Sequence, residues 1–508
     1  MSNWRKVTDF LEQPFDAKRI VEKIKENGIR DIYTDSVHIA DDSVVFLTRE
    51  DEDKRLVIIG NGSIIEKFSG IVETVEAYKI KVCPLNHCNC MSLREIFPFT
   101  APTAVLENDI TIGLGDRLGL ASAGHIRLIK NYNVKPILAQ QSIRELDLTG
   151  RTYVGVLDDA SWAVFQEGYT GGFGADGDHL KKPEEVQMAL DCGFTMITLD
   201  CSEHIDNDIP NLTVDEINQK YSSICEGKRK RFEESYLNKV FELKKGLEIS
   251  FEPFELKKTV LIYQKAIDFA IDIYNSFIKD CKMEVDFEVS IDETLTSTSP
   301  QAHFFVASEL ISSKVKVATI APRFCGEFQK GIDYIGDITE FEKEFKVHVA
   351  IADKFGYKIS VHSGSDKFGV FPIVGKETRG RYHLKTAGTN WLEAVRVIAQ
   401  EQPDLYREIH SFALEVLDEA KKYYHIGADT KNIASLDSLS DAALPDLMNK
   451  VDSRQVIHIT YGLILQAKDD NGKYIFRDRI LNALYKYEDE YYNALSKHIG
   501  KHISKLGI

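Results

Sequence analysis

Between residues 109 and 400 the chain repeats one pattern eight times: a short apolar strand, a polar or glycine-rich loop, then an amphipathic helix. Strands and helices in strict alternation demand parallel strands joined by helical crossovers. Eight such units are the number that closes a sheet on itself. The predicted strands are Ile110–Gly115, Lys135–Gln140, a glycine-rich segment ending at Asp178-His179, Thr195–Asp200, Glu284–Asp292, Val315–Ala321, Tyr357–His362 and Tyr382–Ala387. The expected fold is α/β, an eight-stranded parallel (β/α)8 barrel of the TIM type over residues 101–402. The rival is a doubly wound open sheet, which carries a glycine-rich nucleotide loop after its first strand. Gly113-Leu114-Gly115-Asp116-Arg117-Leu118-Gly119 approaches that loop, but its last glycine comes one position late. No acid ends the second strand to hold a ribose.

Three further regions surround the repeat. Residues 1–100 read as a small α/β extension, with a helix over Asp16–Asn27 and strands near Ile32–Ile39, Ser43–Thr48 and Arg55–Ile59. An insertion after the fourth strand, residues 207–256, is charged and expected to be mostly helical. Its Lys228-Arg229-Lys230-Arg231 run reads as a solvated helix face. Residues 403–508 read as helices, amphipathic over Arg407–Tyr424 and Ile475–Ile499, that cover the barrel or make a homo-oligomer contact.

The formal net charge of −16 leaves no basic footprint for nucleic acid or an anionic membrane. No apolar run reaches the roughly 18 residues of a membrane span. The N-terminus has no apolar signal-peptide core, so the expected compartment is the cytoplasm. Eight scattered cysteines fit a reducing compartment better than a disulfide scaffold. His87-Cys88-Asn89-Cys90 lacks the paired spacing of a zinc site.

A barrel of this kind works at the C-terminal ends of its strands. Polar side chains gather there: Asp116, Gln140, Gln141, Asp178, His179, Asp200, Glu203, Asp292, Glu293, Arg323, His362 and Lys385. In the fifth strand Val285, Phe287, Val289 and Ile291 face the helices, so Glu288 and Asp292 face the axis. The same alternation turns Thr198, Asp200, Ser360, His362, His383 and Lys385 inward. A carboxylate in a barrel interior is costly unless it is paired or bound to a cation. Histidines and carboxylates converging on one end suit a single divalent transition metal, with zinc, manganese, nickel and iron all acceptable. The expected ligands are His179, His362 and His383. His383 sits early in its strand, and Asp200 or Glu288 takes its place if it lies too deep. His303, His410 and His458 fall on predicted helices and read as hydrogen-bonded core residues.

Five segments carry a family resemblance. They are Gln140-Gln141-Ser142-Ile143-Arg144-Glu145-Leu146, the run from Gly171 to Lys181, Thr198-Leu199-Asp200-Cys201-Ser202-Glu203-His204, Ala321-Pro322-Arg323-Phe324, and the run from Ser360 to Phe368. Together they resemble the bacterial tagaturonate epimerases over about residues 95–400. The resemblance implies a metal-dependent interconversion of two keto-uronates, tagaturonate and fructuronate, in hexuronate catabolism. It also implies an acid/base pair on Asp178 and a fifth-strand glutamate. Glu288 and Glu293 both stay open for that glutamate, with alternation favouring Glu288. Gln141, Ser142, Asp200, Arg323 and Lys385 are the expected substrate contacts, Arg323 or Lys385 for the C6 carboxylate.

The two sugars differ at C4, which is β to both the C2 ketone and the C6 carboxylate, so its hydrogen is not acidic. Transient oxidation would need a nicotinamide, and the sequence has no dinucleotide loop. Retro-aldol cleavage of C3–C4, rotation of the aldehyde and re-addition needs a Lewis acid and two groups to handle the C4 hydroxyl proton. A sugar-acid aldolase or a ketose/aldose isomerase would use similar residues, and the products separate the three. A non-catalytic carbohydrate-binding or scaffold protein has no need of so many ionisable strand ends.

Overall fold

Eight parallel strands close on themselves in the computed structural model, which describes residues 3–50, 53–75, 77–244, 246–424 and 426–508. Five strands precede them: β1 (His38–Ala40), β2 (Ser43–Arg49), β3 (Lys54–Gly60), β4 (Ile71–Val75) and β5 (Tyr78–Pro84). These form an antiparallel sheet in the order β1-β2-β3-β5-β4. The barrel begins with β6 (Ile110–Leu114), β7 (Lys135–Ser142), β8 (Gly174–Leu180) and β9 (Met196–Asp200). A hairpin of β10 (Val240–Lys244) and β11 (Leu247–Ser250) interrupts it. It resumes with β12 (Asp286–Ile291), β13 (Thr319–Pro322), β14 (Lys358–Val361) and β15 (Tyr382–Thr386), and β15 pairs with β6 to close the ring.

The helix-facing sides of the strands are apolar and buried, as Ile112, Leu114, Phe287, Val289, Ile359 and Val361 illustrate. The axis-facing sides are polar and equally buried, among them Thr111, Asp176, Thr198, Glu288, Thr319 and Lys385. The barrel is therefore filled with hydrogen bonds. At its N-terminal end the Asp286 carboxylate accepts the Val105 and Leu106 N–H groups, each at 2.8 Å. Nearby, Lys358 donates to the Asn108 carbonyl at 2.5 Å and to Thr111 Oγ1 at 3.1 Å. Buried polar groups are tolerated on such terms, because each has a partner.

Helices start where the sequence supplies caps. Thr152 accepts the Gly155 N–H ahead of the helix Tyr153–Gln166, and Ser299 with Pro300 opens the helix Pro300–Ser312. Asp337 opens Ile338–Phe355, and Gly356, at φ 87°, ends it.

Two expectations need correction. The N-terminal region has five strands rather than three. Its expected first strand is cut to β1 by a turn at Thr34–Ser36, and the mostly exposed β4 shows no burial alternation to find. The insertion carries the helices Val214–Ser222 and Glu226–Tyr236, but also the β10–β11 hairpin, turned at Gly246 with φ 82°. Within its basic run, Arg231 grips Glu309 of a barrel helix through two bonds of 3.1 and 2.7 Å, so that cation is anchored rather than only solvated.

The C-terminal helices pack on the first and last barrel units. Trp391 Nε1 donates to the Ile457 carbonyl at 2.8 Å, and Ile480, Leu484, Leu495 and Tyr491 share a core with Leu392 and Val395. The helix Glu488–Leu506 also holds the N-terminal sheet: Glu488 meets Lys54 at 2.5 Å and accepts the Tyr33 hydroxyl at 2.8 Å. Among the described residues no helix is long and apolar enough to cross a membrane.

The Asp286 contacts make a stability prediction. Asp286→Ala leaves two buried N–H groups without acceptors, at about 1–3 kcal/mol each. Urea unfolding should show a loss of about 2–5 kcal/mol. A loss below about 0.5 kcal/mol, the level of an ordinary surface change, would mean that this contact does not hold the barrel floor.

Candidate active site

One extra residue in β8 shapes the site. Against β9, Gly177 pairs with Ile197 but Leu180 pairs with Leu199, so three steps on one strand match two on the other. That is a β-bulge, and it sits at Asp178-His179. His179 takes φ 56°, in the left-handed region that side chains other than glycine rarely adopt. The bulge breaks the alternation, so consecutive residues both line the cavity at the C-terminal end of the barrel. Glycine recurs around this segment because the interior is crowded. A Cβ on Gly113 of β6, two strands away, would lie 1.6 Å from Gln140 Oε1 of the intervening β7.

Beneath the cavity lies a charge cluster. Lys385 Nζ is 2.8 Å from Asp176, 2.7 Å from Asp178 and 3.0 Å from Glu288, and it also donates to Thr198. Burial would strip its proton, but the three carboxylates hold its pKa well above the ordinary lysine value. Burial likewise raises carboxylates, yet Lys385 and His179 keep Asp178 well below the usual range. Lys385 and His362 do the same for Glu288. Asp176 is the exception: burial, with Asp178 and Glu288 beside it, pushes it up to about 7 despite Lys385.

Above this layer the imidazoles meet. The rings of His179 and His362 are 4.8 Å apart between centroids. His179 Nδ1 is 2.7 Å from Asp178; His362 Nε2 is 2.7 Å from Glu288, and its Nδ1 is 3.2 Å from Asp292. Burial would discharge both rings, but Asp178 lifts His179 to about 10, and Asp292 with Glu288 lifts His362 to about 9. One ligand atom each from His179, Asp292 and His362 lies within 4.8 Å of the others. Imidazole and carboxylate together suit a first-row divalent ion. Asp178 and Glu288 fix the two rings as supporting carboxylates do at metal sites. Asp200 Oδ2 is buried without a hydrogen-bond partner, 3.4 Å from Lys181 Nζ. This donor set fits a divalent cation.

The cavity above has a volume of about 400 Å3 and is lined by charges of both signs. Asp178, Asp292 and Glu293 supply acids. Arg117, Arg144, Arg323 and Lys330 supply cations, Arg144 and Lys330 near enough to Glu293 to feel its charge, and Tyr424 and His458 from the C-terminal region line it too. Arg323 makes no ion pair among the described residues.

Comparison with known proteins identifies the family. The tagaturonate epimerase family model matches residues 33–506. The chain belongs to the tagaturonate epimerase family. It is an enzyme of the isomerase class. A curated tagaturonate/fructuronate epimerase of Thermotoga maritima is 42% identical over 477 residues, 94% of this chain and 97% of that protein. A glycerol-complexed crystal structure of the fructuronate-tagaturonate epimerase from Cohnella laeviribosi is 51% identical, with a TM-score of 0.92, covering 97% of this chain and 99% of that one. The native crystal structure of the same enzyme is 50% identical with the same TM-score and coverage.

Not every expected site residue of this epimerase reaches the cavity. His383 lies in the lower layer, its Nδ1 2.9 Å from Thr111 Oγ1, and burial pushes it down to about 3. It does not join His179 and His362; Asp292 does. Gln141 is turned away, donating to the Asp116 carbonyl at 3.3 Å, while Gln140 and Ser142 line the cavity. The strand runs two residues further than its apolar run suggested, and the inward face follows the even numbers. Lys385 is not free for a substrate carboxylate, since three protein carboxylates already surround it. Glu288 lies under the cavity floor with its oxygens on Thr198, Thr319, His362 and Lys385, whereas Glu293 lines the cavity. Asp200 is at the strand end beside Lys181, and Arg323 lines the cavity. Arg117, Arg144 and Lys330 were not singled out by sequence, because nothing local marks a cation as cavity-lining.

The ligand trio predicts a metal-binding pattern. In chelator-treated protein titrated with Mn2+, His179→Ala and His362→Ala should each weaken binding by at least about tenfold, and His383→Ala should not. Loss of the ion in His383→Ala with retention in His179→Ala would overturn the trio.

Proposed function

We propose that the enzyme interconverts tagaturonate and fructuronate at C4 by retro-aldol cleavage and re-addition, as a cytoplasmic step of hexuronate catabolism. The observation that carries this reading is one cavity lined by Asp178, beside the ring of His179, and by Glu293, together with the cations Arg117, Arg144, Arg323 and Lys330. The keto-uronate is anionic at C6, so its carboxylate is drawn to the cations that line the cavity. Its ketone end then lies toward His179, Asp292 and His362. A divalent cation held by those three would supply the positive charge that stabilises an enediolate.

One carboxylate, Asp178 or Glu293, takes the proton of the C4 hydroxyl. The C4 oxygen becomes a carbonyl, the C3–C4 bond breaks, and its electron pair passes into the C2–C3 enediolate. The fragments are the enediolate of dihydroxyacetone and tartronate semialdehyde. The aldehyde turns about C4–C5 and presents its other face. The enediolate carbon re-adds, and the second carboxyl group returns a proton to the C4 oxygen. Lys385, under Asp178, stabilises the ionised form of that carboxylate between turnovers. Glu288 is a positioning residue that orients His362.

Two measurements test this. Glu293→Gln should keep Mn2+ and Asp178→Asn should bind it more weakly, and at saturating Mn2+ both should lose about 10²-fold or more in kcat; Glu288→Gln should lower Mn2+ affinity by about 10- to 100-fold. Wild-type turnover in both Asp178→Asn and Glu293→Gln would sink the two-carboxylate scheme. The second is exchange: with 13C-labelled dihydroxyacetone present, label should enter C1–C3 of the recovered sugar acids, and trapping should yield tartronate semialdehyde. Epimerisation with neither label nor trapped aldehyde would count against cleavage.

A further inference from the structure

The helices after the barrel bring to the cavity one side chain that the proposed reaction leaves unused. His458 lies on the helix Val451–Ile459 and is 2% exposed. Both of its ring nitrogens are buried without a hydrogen-bond partner, and among the described residues no other histidine has both so placed. The other deeply buried rings are at least half satisfied: His303 meets His348 and Tyr357, His410 meets Tyr406, and His125 meets Asn390. An unpartnered buried polar group costs about 1–3 kcal/mol, so packing alone would favour an apolar side chain here. The ring also needs room from two cavity-lining glycines. A Cβ on Gly388 would lie 2.1 Å from His458 Nε2, and one on Gly331 would lie 3.1 Å from Nδ1.

Arg117 offers a matching unpaired group. Its Nε and Nη2 donate to Glu145 Oε1 at 2.9 and 2.8 Å, and its guanidinium stacks on Tyr461 at 3.8 Å. Its Nη1 is buried with no partner, on a side chain 5% exposed. The same Cβ on Gly388 would lie 3.3 Å from Arg117 Nη1, so both orphaned groups border one spot on the cavity wall. Burial holds the His458 imidazole well below its ordinary pKa, and Arg117, Lys330, Arg454 and Lys367 push the same way. The ring is therefore neutral, with one N–H to donate. A guanidinium N–H and an imidazole N–H side by side match the two oxygens of a carboxylate.

We infer that Arg117 and His458 form the subsite that takes the C6 carboxylate of the substrate, so that the C-terminal helices set which oxidation level of sugar the barrel accepts. The reading of the substrate as a keto-uronate comes from the proposed function; the carboxylate subsite rests on the orphaned donors. A site built to hydrogen-bond a group discriminates strongly against a ligand that lacks it.

Calorimetry on the metal-loaded enzyme tests this with two probes that carry no ketone to cleave: galactonate, and galactitol, the same chain without a carboxylate. Wild type should prefer galactonate. His458→Leu should cut that preference by roughly tenfold, the worth of one hydrogen bond to a charged group, and leave galactitol and Mn2+ binding unchanged. His458→Gln, which keeps an N–H donor, should retain most of the preference. Gly388→Ala, which pushes a methyl group against both donors, should lose it even if His458→Leu misfolds. With tagaturonate, His458→Leu should raise KM far more than it lowers kcat. No galactonate preference in wild type, or equal losses for both probes in His458→Leu, would overturn the subsite. A clear galactonate preference in an enzyme that fails to epimerise tagaturonate would overturn the reaction and leave the subsite standing.

Discussion

The Lys385 ammonium sits 2.7 to 3.0 Å from Asp176, Asp178 and Glu288, buried in the barrel interior. Removing one partner of a buried ion pair costs about 3–5 kcal/mol. A cluster with three acids and one base is one-sided even when complete. The carboxylates around the two imidazoles above it raise their pKa values, as excess negative charge does. A divalent cation relieves the same excess. The lysine thus does two things: it makes the polar barrel floor tenable, and it leaves a deficit of positive charge at the height where His179, His362 and Asp292 meet.

Placing those three groups is a backbone problem. Regular alternation would send either Asp178 or His179 to the helices. The bulge in β8 brings both inward at the cost of a strained residue, and strain of this kind is kept where the surrounding structure fixes it. Fixation comes from below, through Lys385 on Asp178, and from the side, through Asp178 on His179. The C-terminal helices then close one side of the cavity. They are held by Arg117 stacking on Tyr461 and by the core around Trp391.

Much of this was legible in the sequence for a simple reason. Parallel strands buried on both sides show two periodicities at once, apolar toward the helices and polar toward the axis, and β12 displays both over its whole length. That placed Glu288, His362 and Lys385 inside. Their roles were not legible, because each depends on partners from distant strands. Lys385 looked like a free cation until Asp176 and Asp178 were seen on either side of it. Glu288 reads in the sequence as a proton-transfer group, and its bonds to Thr198, Thr319, His362 and Lys385 are what favour Glu293 for that role instead. His179 was found only because it ends a strand. The bulge that turns it inward has no local signature beyond a run of glycines and an Asp-His pair. Asp292 was in view but was passed over in favour of a third histidine. His458 was beyond reach, since a histidine on an amphipathic helix looks the same whether it faces a core or a cavity.

One divalent ion between His179, Asp292 and His362 would fill the charge deficit above Lys385. Anomalous diffraction from crystals grown with Mn2+ measures this directly. The account predicts one strong peak within bonding distance of those three side chains, at about 2.0–2.2 Å from the donor atoms. A peak at the other close group of ligand atoms, Asp366 with His498 and His502, and none above Lys385, would contradict it.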